Sequence, residues 1–265
     1  MANRVIVTAL DGVLLNFTAN SAATADCALL KPVMASLKAQ RVAVIVFTGR
    51  DRAELEPIRQ QLEMVDPFIT ESGSGIFTPV NHNPFEPALG EKIGEYYLQT
   101  LGCPYVQARA GLRVLANLIS HPLKGFGDFT VEQLERLTGR SAAYAHQAKA
   151  REFSEPFMTP QSVDLAVLAQ TAEEMGFKVV LRAAEESRFS ELIGAKAGLR
   201  EAITEVIAAY EKRLKPAEKL QVLGLCDRPE ELADFATSMP STHWTNVTIH
   251  TATVDWIAAV EAWLA

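Results

Sequence analysis

Three continuous apolar runs punctuate this chain: Arg4-Val5-Ile6-Val7-Thr8-Ala9-Leu10, Val42-Ala43-Val44-Ile45-Val46-Phe47 and Leu220-Gln221-Val222-Leu223-Gly224-Leu225. Each is too short for an ordinary helix and carries no strict polar alternation, the pattern of strands buried on both faces of a parallel sheet. Each ends abruptly in polar residues: Asp11-Gly12, Thr48-Gly49-Arg50 and Cys226-Asp227. Between and after the runs, amphipathic stretches predict helices. One opens at Pro32 and runs to Gln40, with Leu14 to Leu30 read as loop. A second starts at Asp51 and runs to about Met64, with Pro57 as a possible kink, a third leads from Ile193-Gly194-Ala195-Lys196-Ala197-Gly198 to about Leu214, and Pro229 to Phe235 makes a short one. A last strand is expected at Val247-Thr248-Ile249 and a closing apolar helix from Val254 to Leu264. Strand, helix, strand, helix with short connections is the signature of a sheet wound by crossovers. Phe68-Ile69-Thr70 and Gly75-Ile76-Phe77 flank a Gly and Ser turn as two short strand-like pieces.

The pattern changes at Asn81-His82-Asn83-Pro84-Phe85-Glu86-Pro87, a Pro and Asn cluster typical of an exposed connection. A domain boundary is expected there, giving a first core segment 1–82, an inserted block 83–187 and a second core segment 188–265. Within the insert, Lys92 to Leu118 reads as helical with a break at Gly102-Cys103-Pro104, and Thr130 to Gln133 has the spacing of a capping box that opens another helix. Helices are also expected over Arg140 to Arg151 and Val163 to Met175, an edge strand over Glu152 to Met158, and a strand over Lys178 to Arg182. This block lacks long apolar runs, as a smaller α/β layer with one solvated sheet face would. The expected fold is therefore α/β: a Rossmann-like wound parallel core with an α/β cap inserted into it.

A length of 265 residues, 48% of them hydrophobic and 22% charged, suits a globular protein with a proper core. The net charge of −7 and the absence of a basic block argue against general affinity for nucleic acid, while leaving room for a local basic pocket. No apolar run reaches the roughly 18 residues that span a bilayer, and no signal core follows the first residues, so a cytoplasmic protein without membrane contact is expected. Cys27, Cys103 and Cys226 lack the paired spacing of a disulfide framework or a zinc site.

The polar groups at the strand ends form one plausible site. Thr48, Lys196 and backbone amides at a sheet rim make a phosphate cradle, because helix N-termini and a cation both favour an anion. Asp11 and Asp227, with Glu231, are separated carboxylates of the kind that suit Mg²⁺. That ordered set, Ala9-Leu10-Asp11-Gly12-Val13, Thr48, Lys196 and Asp227 to Glu231, resembles the four motifs of the haloacid dehalogenase (HAD) superfamily of phosphotransferases. The resemblance covers nearly the whole chain. The inserted block is similar to the cap of mannosyl-3-phosphoglycerate phosphatases, through Gly125-Phe126-Gly127-Asp128, Leu137-Thr138-Gly139, Ala150-Arg151-Glu152-Phe153-Ser154-Glu155-Pro156 and Arg188-Phe189.

The resemblance implies a Mg²⁺-dependent phosphatase of a phosphorylated glycoside: mannosyl- or glucosyl-3-phosphoglycerate, or the compatible-solute precursor glucosylglycerol phosphate. It assigns Thr48 and Lys196, with Gly49 and Arg50, to the phosphate, Arg151, Glu152 and Arg188 to the sugar or carboxylate end, and Asp11, Asp227 and Glu231 to the metal. Asp11 takes the place of the general acid and base. The family's first aspartate attacks phosphorus and forms an aspartyl phosphate; here that position is Ala9. The fourth motif is altered as well, with Cys226-Asp227-Arg228-Pro229-Glu230-Glu231 in place of Gly-Asp-x-x-Asn-Asp. Two explanations stand: an otherwise complete phosphatase whose nucleophile was replaced to trap substrate, or a natural relative that has lost catalysis and serves as a binding or regulatory protein. An α/β interaction protein with no small ligand is the third.

Overall fold

The computed structural model describes residues 3–15, 22–181, 188–215 and 218–265. Its large sheet has the strand order β11-β10-β1-β2-β3-β4-β6-β5. β1 (Arg4–Ala9), β2 (Ala43–Phe47) and β10 (Gln221–Cys226) are the three apolar runs, and β11 (His243–Thr248) is the last expected strand, longer at its start. These four and β3 (Phe68–Thr70) are mutually parallel. β1 lies at the centre: the chain leaves it towards β2 and β3 on one side and returns later as β10 and β11 on the other. Such a reversal of winding opens a crevice beyond the carboxyl ends of the strands flanking it, here β1 and β10.

The helices that cross between strands are α1 (Ala22–Ala39) and α2 (Arg52–Gln61), and later α7 (Leu199–Glu211); α9 (Val254–Leu264) follows the last strand. Asp51 caps α2 through a 3.0 Å bond from the Glu54 amide, and Pro57 is accommodated inside that helix. α1 begins ten residues before Pro32, because the Ala-rich stretch before the proline is a strong helix former and outweighs the one bond that proline removes. Of the loop expected from Leu14 to Leu30, residues 16–21 lie outside the described residues and the rest from Ala22 is helix. α9 packs on β10, where fully buried Trp256 donates its indole N–H to Thr8 Oγ1 at 3.0 Å.

Two further segments differ from their expected conformation. The first half of the helix expected over Lys92 to Leu118 is a hairpin, β5 (Glu91–Ile93) and β6 (Tyr96–Thr100), turned at Gly94 with φ 58°, and it pairs with β4 (Gly75–Pro79). Tyr96 stands edge-on to the stacked rings of Phe68 and Phe77, so burial of an aromatic cluster decides in favour of strand. Only the second half is helical, as α3 (Tyr105–Leu118). The other is β9 (Phe189–Gly194), the middle strand of an antiparallel sheet β7-β9-β8 with β7 (Glu155–Met158) and β8 (Phe177–Val180). The large sheet thus runs on to Thr100 and the small sheet to Gly194, past the boundaries expected at 82/83 and 187/188. Strand character was hidden at β9 because two of its buried positions, Ser190 and Glu191, are polar.

The small sheet carries α3 and α6 (Leu165–Glu174) around a separate apolar cluster of Leu112, Leu115, Phe157, Leu168, Ala172 and Leu192. α4 (Val131–Thr138), opened by the Thr130 and Gln133 capping box, and α5 (Ala142–Gln147) enclose a second cluster about Phe126, Leu134, Ala145 and Ala148. The strand expected over Lys178 to Arg182 is β8; Arg182 lies outside the described residues.

The cap is joined to the core by buried charge. Arg151 donates to the Gly49 carbonyl at 2.7 Å, to Glu191 Oε1 at 3.0 Å and to Ser154 Oγ at 3.4 Å, with only 7% of its side chain exposed. Glu71, which is fully buried, accepts the Glu152 and Phe153 amides at 2.9 and 3.0 Å and meets Ser154 Oγ at 2.6 Å. Removing one partner of such a pair leaves an uncompensated charge. Arg151→Met is therefore expected to destabilise the chain by about 3–5 kcal/mol in denaturant unfolding, and Arg151→Met with Glu191→Gln by much less than the sum of the two single changes. Strict additivity would show that the two side chains do not act as a pair.

Candidate functional site

A cleft of about 720 Å³ opens at the carboxyl ends of β1, β2 and β10, lined from the core by Ala9, Asp11, Gly12, Thr48, Gly49, Asp227, Arg228 and Glu231. Lys178 and Val179 of β8 form its cap side, and Gly198, Leu199 and Arg200 at the start of α7 close it. Each core group stands there because a buried strand has just ended. The chain turns back after β1, with the Gly12 amide on the Leu15 carbonyl and the Leu15 amide on that of Leu10, each at 3.0 Å. Gly12 sits at φ 73°, a left-handed conformation that glycine adopts without strain, and so permits the turn.

Asp11 is held by three donors. Thr48 Oγ1 donates to its Oδ2 at 2.9 Å, and Arg50 Nε and Nη2 donate to Oδ1 at 2.9 and 2.7 Å. Thr48 Oγ1 also accepts the Arg50 amide at 3.1 Å, which fixes the turn between β2 and α2. Arg50 is mostly buried, reaches Glu54 Oε2 at 3.4 Å and lies 5.7 Å from the ring centre of Tyr144 on cap helix α5. Burial pushes the Glu54 carboxyl up to about 8, against the pull of Arg50 and Arg151. On the opposite wall Glu231 pairs with Arg228, and Lys178 Nζ binds Glu201 Oε1 at 2.7 Å and the Ala197 carbonyl at 2.9 Å.

Several residues expected in the site stand elsewhere. Lys196 is exposed on the turn after β9 and does not line the cleft, whereas its neighbour Ala197 is buried; a Lys-Ala-Gly string does not reveal which of its residues faces inward. Arg151 is consumed by the cap junction, Glu152 pairs with Arg52 at 2.9 Å, and Arg188 is exposed outside the cleft. Glu230 is likewise exposed and outside it. Ala9, Asp11, Thr48, Gly49, Asp227 and Glu231 line the cleft together, and Arg50 meets it through Asp11. Lys178, Arg200 and Arg228 were missed, the first because it comes from a cap strand distant in sequence, the last because it sits inside a motif read for its acids.

At position 9 the cleft meets the methyl group of alanine. Cys226, next to the β10 end, is buried, and desolvation followed by Glu231 and Asp227 pushes its thiol up to about 12, so it carries no thiolate near neutral pH. The cleft's donor set does not fit a resident divalent ion either. Among the described residues no group of three or more His, Cys, Asp or Glu side chains could hold one. Ala9 offers no oxygen from its side chain, the Asp11 carboxylate is taken up by Arg50 and Thr48 and Glu231 by Arg228, which leaves a single carboxylate of the expected set, Asp227, outside these pairs.

A wound α/β core carrying a strand-end cleft under an inserted cap defines the architecture of a phosphotransferase of the HAD type. A phosphatase of the HAD enzyme superfamily from Bacteroides thetaiotaomicron shares that fold over 91% of this chain and 82% of its own, with a TM-score of 0.53 at 15% identity. The glucosyl-3-phosphoglycerate/mannosyl-3-phosphoglycerate phosphatase of Persephonella marina is 31% identical over 208 residues, covering 78% of this chain and 73% of that protein. The mannosyl-3-phosphoglycerate phosphatase of Pyrococcus horikoshii is 36% identical over 125 residues, 47% of this chain and 50% of its own length. No family model matches the chain. Within the HAD superfamily the chain belongs to the family of mannosyl- and glucosyl-3-phosphoglycerate phosphatases. No helix among the described residues is long and apolar enough to cross a membrane.

The junction beneath the cleft titrates. Ser154 Oγ lies 2.6 Å from both Glu71 Oε2 and Glu191 Oε1, yet a hydroxyl has one proton, so one of the two carboxyls must carry its own. Glu71 is that group near neutrality, since burial raises it to about 7. A carboxyl whose folded value lies above its unfolded one binds protons more tightly when folded, so its contribution to stability is present below about pH 4.5 and is lost as pH rises through the folded value. Glu71 and Glu54 together predict that stability falls between pH 5 and about pH 8, by on the order of a few kcal/mol. Urea melts of the Glu54→Gln, Glu71→Gln double variant should show little of that decline. An equally steep decline in the double variant would remove these two groups as its cause.

Proposed function

We propose that this chain binds a phosphorylated sugar glycerate, of the kind named for its relatives, without hydrolysing it. The observation that carries this reading is Ala9: the strand end that would present an attacking carboxylate presents a methyl group, while the surrounding anion contacts remain in place. Thr48, Gly49 and Arg50 on one side, with Arg228 on the other, receive the phosphate. Lys178 and Arg200 of the opposite wall face the glycerate and sugar end, the places expected of Arg151 and Arg188. A planar guanidinium fork suits a carboxylate, which favours a glycerate over a neutral glycerol glycoside.

The second version, a phosphatase lacking only its nucleophile, is favoured by the 2.9 Å bond between Thr48 and Asp11 at the strand ends. It is disfavoured by the arginine beside Glu231, which the change at position 9 does not account for. The test separates them. Calorimetric titration should show that the chain binds mannosyl- or glucosyl-3-phosphoglycerate, and a phosphate-release assay should remain at background. Ala9→Asp should bind and still release no phosphate with Mg²⁺. A rise of several orders of magnitude in turnover by Ala9→Asp would mean that the nucleophile alone is missing, as removal of a covalent nucleophile takes away most of the acceleration.

A further inference from the structure

Three of the acidic side chains that line the cleft are each bonded to a basic side chain, Lys178 and Arg228 of the lining and Arg50 of the adjoining loop after β2. Asp11 is clasped by Arg50 at 2.7 and 2.9 Å, Glu231 by Arg228, and Glu201 by Lys178 at 2.7 Å. These are short, charge-assisted contacts between groups carried on neighbouring strand ends and the facing wall, so the positive charge at the sheet rim is built into the chain. Arg228 and Glu231 belong to the same turn after β10, and their pair is partly shielded, with 35% and 17% of the side chains exposed. A divalent ion bound by Asp227 and Glu231 would have to break that pair and then sit beside a guanidinium. A phosphate faces the opposite balance: the guanidinium that repels a cation presents its remaining N–H groups to an anion.

We propose that this cleft takes its phosphate ester without a divalent cation, with Arg228 supplying the charge that a metal ion would supply. The proposal rests on the ligand class given above and adds how its charge is met. Arg50 is held in place by Asp11 and Glu54, and so supplies a second fixed cation at the rim without contacting a metal. Arg228, on the more open side, is the group whose removal uncovers an acidic pair, Asp227 and Glu231, and so creates a site for a cation.

The experiment uses the full chain and three titrations. MgCl₂ alone should give no binding signal at millimolar concentration. Mannosyl-3-phosphoglycerate should bind with the same affinity, within about twofold, in EDTA and in excess Mg²⁺, a difference below what one tenfold step in free energy would register. Arg228→Gln should lose at least about tenfold in EDTA, recover part of it when Mg²⁺ is added, and bind Mg²⁺ by itself. Arg228→Lys, which keeps the charge, should retain binding in EDTA. Thermal melts of both variants matching the parent would confirm that the change is local. Binding of the ester that requires Mg²⁺, or Mg²⁺ binding to the parent chain alone, would overturn this proposal and leave the ligand class standing. An Arg228→Gln variant unaffected in EDTA would also overturn it. Failure to bind the ester in either buffer overturns both readings.

Discussion

The buried guanidinium of Arg151 is the constraint on which the cleft depends. It draws together the Gly49 carbonyl of the core and Glu191 of the cap, two groups far apart in sequence. Gly49 lies between Thr48 and Arg50, so the bond that fastens the cap also pins the loop that would receive a phosphate. Glu71 does the reciprocal service by gathering the amides of Glu152 and Phe153, the residues that follow Arg151. An arginine that reads in sequence as a ligand for substrate is, in the fold, the strut that holds the substrate's loop. Buried polar networks of this kind are high in stakes, because a half-satisfied one is worse than none. Here the shared proton at Ser154 shows that the network is complete only when one carboxyl is neutral.

The cleft follows a different rule from the junction. At the junction a single cation serves several acids; in the cleft each of three acids has a basic partner of its own. A site that needs a metal ion keeps its carboxylates converging on one point and uncommitted, since the ion must be the group that neutralises them. A site that needs only an anion is better served by fixed cations, because their placement adds no ordering upon binding. A methyl group at position 9 and a guanidinium at position 228 act in the same direction, the first contributing no carboxylate oxygen and the second a fixed positive charge.

The core was legible because its information is local. Continuous apolar runs of six or seven residues can be buried on two faces only as central parallel strands, and a polar residue that ends such a run has to emerge at the sheet rim. Ala9, Asp11, Thr48 and Asp227 were found that way, and the capping box at Thr130 by its spacing alone. What escaped depends on partners remote in sequence. The hairpin Glu91 to Thr100 is a strand pair because Tyr96 finds Phe68 and Phe77, and Phe189 to Gly194 is one because Glu191 finds Arg151. Lys196 and Lys178 illustrate the same limit at the site: both are polar residues near glycines, and only the packing of β9 against β8 decides that the second faces the cleft.

The cap is more than a cover, and the position of Tyr144 shows why. Its ring centre lies 5.7 Å from the Arg50 guanidinium, and Lys178, on another cap element, lines the cleft. Of these two cap elements β8 lines the cleft and α5 meets Arg50 beside it, while Glu191 of β9 is bonded to Arg151, which in turn holds the Gly49 carbonyl. A swing of the cap would break the bond from Arg151 to the Gly49 carbonyl and those from the Glu152 and Phe153 amides to Glu71. Hydrolytic turnover demands that a product leave after each cycle, and lid opening commonly sets its rate. A buried arginine at the cap junction therefore sets what any opening of this cleft must overcome.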